Sequence, residues 1–132
     1  MNTKYLMIAS SIAMGLAGVS ATFLPKEILT YVGLNSTVLP TLIIQATGAL
    51  YLGFALMNWM AKTVLIGGIY SKPLCLGNFL HFTIAALALI KAAFHHPDVN
   101  AVLIAAIAYS IFSILFGYVL FTSPTINKRQ SQ

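Results

Sequence analysis

Residues 102–121 read VLIAAIAYSIFSILFGYVLF, twenty residues without a charge. At 1.5 Å per residue a helix of this length spans about 30 Å, the thickness of a bilayer's hydrocarbon core. The stretch is apolar throughout, whereas a membrane β-strand alternates polar and apolar side chains. Backbone groups in hydrocarbon must bond within their own segment, and that selects a helix. Working back along the chain, residues 5–23, 40–61 and 73–94 repeat the pattern, the last with one charge near its far end, Lys91. The expected fold class is therefore an all-α membrane protein, a bundle of four transmembrane helices.

Composition points the same way. Of 132 residues 59% are hydrophobic and 7% are charged, where a soluble domain carries about 25% charged residues. So few charges cannot cover a surface in water, so lipid is the solvent expected for most of it. The length suits one domain, residues 1–132. The net charge of +5 does not indicate nucleic acid, because the seven Lys and Arg are scattered along the chain at the edges of apolar runs. One cysteine, Cys75, allows no intrachain disulfide and no CxxC pair. It reads as a small apolar packing residue.

All five prolines punctuate the runs. Pro25 follows the first, Pro40 and Pro73 open the second and third, and Pro97 and Pro124 follow the third and fourth. A missing N–H costs little at such boundaries. Trp59 stands near the end of the second run, as an interfacial anchor does. Residues 1–23 also have the outline of a secretory signal, with Lys4, an apolar stretch and a small-residue site at Val19-Ser20-Ala21. The run is long for a signal core and leads into a segment that reads as part of the fold, so it is expected to remain as the first crossing. That segment, PKEILTYVG at 25–33, opens on proline, carries Glu27 in its first turn and ends on glycine. Ile28, Leu29 and Val32 share a face, so it reads as a short interfacial helix. Residues 63–70 read as a second surface segment, bent at Gly67-Gly68.

Four crossings put both termini on the side of the middle loop. That side carries Lys4, Lys62, Lys72, Lys128 and Arg129; the other carries Lys26 and, by snorkelling, Lys91. The excess places both termini in the cytoplasm.

Within the membrane, small residues are expected at helix contacts. Gly15 and Gly18, Gly48 and Gly53, and Ala106, Ser110, Ser113 and Gly117 supply them. In the third run His81, Ala85, Ala88 and Ala92 form a stripe, the face expected to meet another helix. Uncharged polar groups gather in the cytoplasmic half: Tyr51, Asn58, Asn78 and His81, with Ser10, Ser11, Ser113 and Tyr118 at similar depth. Two readings stand beside each other. In one, Asn and His hydrogen-bond helices together. In the other, Tyr51, Asn58, Asn78 and His81 line a ligand-binding pocket, since an ionisable group at membrane depth marks a functional candidate.

Catalytic and metal signatures are absent from the sequence. Its two carboxylates, Glu27 and Asp98, both fall outside the apolar runs, so no acid pair or Ser-His-Asp set forms in the bundle. His95-His96-Pro97-Asp98 reads as a turn, because adjacent histidines point apart. Gly67-Gly68 and Gly77-Asn78 lack the spacing of a phosphate loop. No cofactor is implied.

AGVSATFLP at 17–25, the amphipathic turn ending at Gly33 and GALYLGFA at 48–55 resemble small bacterial four-helix membrane proteins of the DoxX-like neighbourhood. The resemblance spans most of the chain and rests on small and apolar residues. It implies a bacterial inner-membrane bundle and brings no catalytic residue. The size is also similar to that of small multidrug exporters, but residues 5–23 lack the acidic group that family uses. Small fluoride channels are of similar size, but Gly77-Asn78 does not match their asparagine-centred pattern.

Three functions follow as expectations. The first is a non-enzymatic component that binds membrane lipid, a hydrophobic ligand or a partner membrane protein. The second is an oligomeric transporter or channel subunit. The third is an enzyme or redox accessory acting on a lipid-soluble substrate such as a quinone.

Overall fold

The computed structural model describes residues 3–63, 71–95 and 100–122. Among these are five α-helices and no strand: α1 (Thr3–Phe23), α2 (Pro25–Tyr31), α3 (Val38–Ala61), α4 (Lys72–His95) and α5 (Asn100–Thr122). Four of them are long and apolar enough to cross a membrane, with mean hydropathies from 1.6 to 2.2. The protein is all-α, with four membrane-length helices and a short helix after the first, as the sequence predicts. The bend expected at Gly67-Gly68 and the His96-Pro97-Asp98 turn lie outside the described residues.

The helix starts differ by two residues or fewer from the proline-based boundaries. α3 begins at Val38 and α4 at Lys72, so Pro40 and Pro73 sit inside the first turn. The first N–H groups of a helix have no intrahelical acceptor, so proline there removes no bond. The break between α1 and α2 is also proline's work. The Pro25 ring crowds the residue before it, and Leu24 leaves helical geometry at φ −122° and ψ 41°. α2 then ends where glycine is needed. Gly33 takes φ +74°, its N–H bonds Thr30 O at 3.0 Å and the Leu34 N–H reaches Leu29 O at 2.8 Å. This pair of bonds is a Schellman cap, satisfying two carbonyls at the helix end.

Packing resolves into two compact units, Met1–Thr63 and Val64–Gln132. In the first, α1 packs along α3, with α2 against both; in the second, α4 packs along α5. Each unit buries polar side chains beside apolar ones such as Met7, Met14, Phe82 and Phe116, and leaves many large apolar side chains outside. Ser10, Ser11, Asn58 and Asn78 are buried, while Leu16, Leu50, Ile84, Ile104 and Phe94 stand exposed, the last at 82%. An outer surface built largely of big apolar side chains, with polar groups turned inward, suits a lipid surrounding.

In α4 the buried face lies beside the stripe expected to meet another helix. It runs through Cys75, Asn78, Phe82 and Ala86, about one residue round from the His81–Ala92 stripe, and Ala88 is exposed. Phe82 stacks on rings of α5, and His81 of the neighbouring stripe meets Tyr109 of the same helix.

Candidate functional site

The four residues expected to line a pocket divide between the units. Tyr51 and Asn58 belong to α3 in the first unit, Asn78 and His81 to α4 in the second.

In the first unit α1 and α3 run antiparallel, and polar groups bridge them. The Asn58 Nδ2 donates to Ser10 Oγ at 3.0 Å and lies 4.0 Å from Met14 Sδ. Ser10 Oγ in turn donates to Met7 O at 3.1 Å, and Ser11 Oγ reaches across to Ala55 O at 2.7 Å. Asn58 and Ser10 are both fully buried. Nearer the other end the backbones themselves meet. A Cβ on Gly48 would stand 2.7 Å from Thr22 N and 2.9 Å from Gly18 O; one on Gly18 would stand 2.9 Å from Leu52 N. Neither position has room for a side chain. Gln45 Nε2 adds a long bond to Thr22 O at 3.4 Å. Tyr51 is half-buried on the same helix, and Thr47 bonds its own helix at Ile43 O.

In the second unit the joint is aromatic. The Phe82 ring stacks on Phe116 at 5.6 Å and 11° and on Phe112 at 4.8 Å and 25°. Tyr109 meets Phe82 edge-on at 5.3 Å, and the half-buried His81 ring lies 5.9 Å from Tyr109. Below this cluster Cys75 Sγ donates to Phe116 O at 3.6 Å, and Asn78 Nδ2 bonds Leu74 O on its own helix at 2.9 Å. On a neighbouring face Thr83 and Ser113 share a hydroxyl bond of 2.7 Å. The structure thus places His81 against aromatic rings, and Asn78 at the buried face of α4. The rings Tyr109, Phe112 and Phe116 recur at three- and four-residue spacing, a signal present in the sequence beneath the stronger run of alanines.

The chemistry open to these clusters is narrow. No carboxylate stands in α1, α3, α4 or α5, so His81 has no acid partner within its span to form a catalytic dyad. Among the described residues no group of three His, Cys, Asp or Glu side chains could hold a metal. What the clusters do is join helices and, at the joints, leave grooves. One of about 490 Å³ lies between α4 and α5, lined by Ile90, Phe94, Ile107 and Ile111 among others. Another, of about 430 Å³, follows the joint of α1 and α3.

Compared with protein-family models, curated proteins and solved structures, the chain matches none.

Proposed function

We propose that this chain is a multi-pass protein of a bacterial cytoplasmic membrane that acts by binding, to lipid or to a partner membrane protein, and not by catalysis. The observation that carries the reading is the large apolar surface that the long helices present. Large apolar residues face outward along all four long helices, while Ser11, Asn58 and Thr83 make bonds that cross the helix joints. A surface of this kind offers contact area to acyl chains and to other transmembrane helices. Among the described residues, the four long helices hold no carboxylate to pair with His81.

In this reading α2 lies in the interfacial layer, with Glu27 and Lys26 towards water, and both termini are cytoplasmic by the lysine bias. Kinship with DoxX-like proteins is part of the same proposal and rests on the small-residue stretches at 17–25 and 48–55. The test is isolation of the full chain in mild detergent without added lipid. Stoichiometric lipid or a membrane protein should travel with it through two chromatographic steps. A bare, folded monomer would contradict the proposal.

A further inference from the structure

We draw no further inference here: the strongest candidate, the apolar groove of about 490 Å³ between α4 and α5 lined by Ile90, Phe94, Ile107 and Ile111 among others, suits a packed helix as well as an acyl chain, and nothing in the structure shows what covers it.

Discussion

At the α1–α3 joint two backbones touch; at the α4–α5 joint two sets of rings do. Gly18 and Gly48 bring the first pair so close that neither could carry a methyl group without a shift of backbone. Phe82, Phe112 and Phe116 hold the second pair through stacked side chains. Both solve one problem. Lipid is as apolar as leucine, so burial of apolar surface does not drive helices together, and close contact must. Glycine gives contact by removing the side chain, phenylalanine by interleaving flat ones. The glycine joint tolerates no enlargement and the aromatic joint tolerates no deletion, so the two should fail in opposite ways.

Gly48→Ala should have the largest effect. Its methyl group meets Thr22 N and Gly18 O, which are backbone atoms, and overpacking of this kind costs about 3 kcal/mol. Unfolding in a detergent titration would measure it. Gly117→Ala in the other joint meets the Phe79 Cε2 ring edge at 3.0 Å, a group that can swing, so its cost should be well under half as large. Equal costs would end the distinction between the joints.

Phe82→Ala comes next, at about 2 kcal/mol. This is less than the loss usual in a water-soluble core, because packing is lost but no transfer from water. In the same titration, a cost below that of Leu50→Ala on the exposed face would mean that the ring stack does not hold α4 to α5.

The hydrogen bonds between helices should be the smallest contributors. A double-mutant cycle on Asn58→Leu and Ser10→Ala should give a coupling of about 1 kcal/mol, and one on Thr83→Val and Ser113→Ala about 0.6 kcal/mol. Couplings of several kcal/mol would show that polar bonds, not contact, hold the pairs.

The elements of this fold were legible because length and hydropathy alone decide membrane helices. Proline and glycine then marked their ends: Pro25 at the α1–α2 break, Gly33 at the cap of α2. The facing of the helices was not legible. When almost every residue is apolar, the 3.6-residue period that normally identifies a buried side is absent, and small residues are the remaining guide. That guide worked for Gly18 and Gly48, where nothing else fits. In α4 the buried residues Cys75, Asn78, Phe82 and Ala86 lie about one residue round from the His81–Ala92 stripe, of which His81 meets Tyr109 of α5. In the polar map, Asn58 and Ser10 were recognised at matching depth and do bond, while Tyr51 and Asn58 belong to the first unit and Asn78 and His81 to the second; which helices pair is not written in any one helix.

The central claim is that the outward leucines, isoleucines and phenylalanines stand in hydrocarbon. Spin labels on cysteines placed at Leu50 and Ile111, both exposed near the middle of their helices, test it directly in reconstituted bilayers. Molecular oxygen, which concentrates in hydrocarbon, should relax both labels strongly, and a water-soluble nickel chelate should leave them unaffected. Strong relaxation by nickel at both positions would place these faces in water and contradict the account.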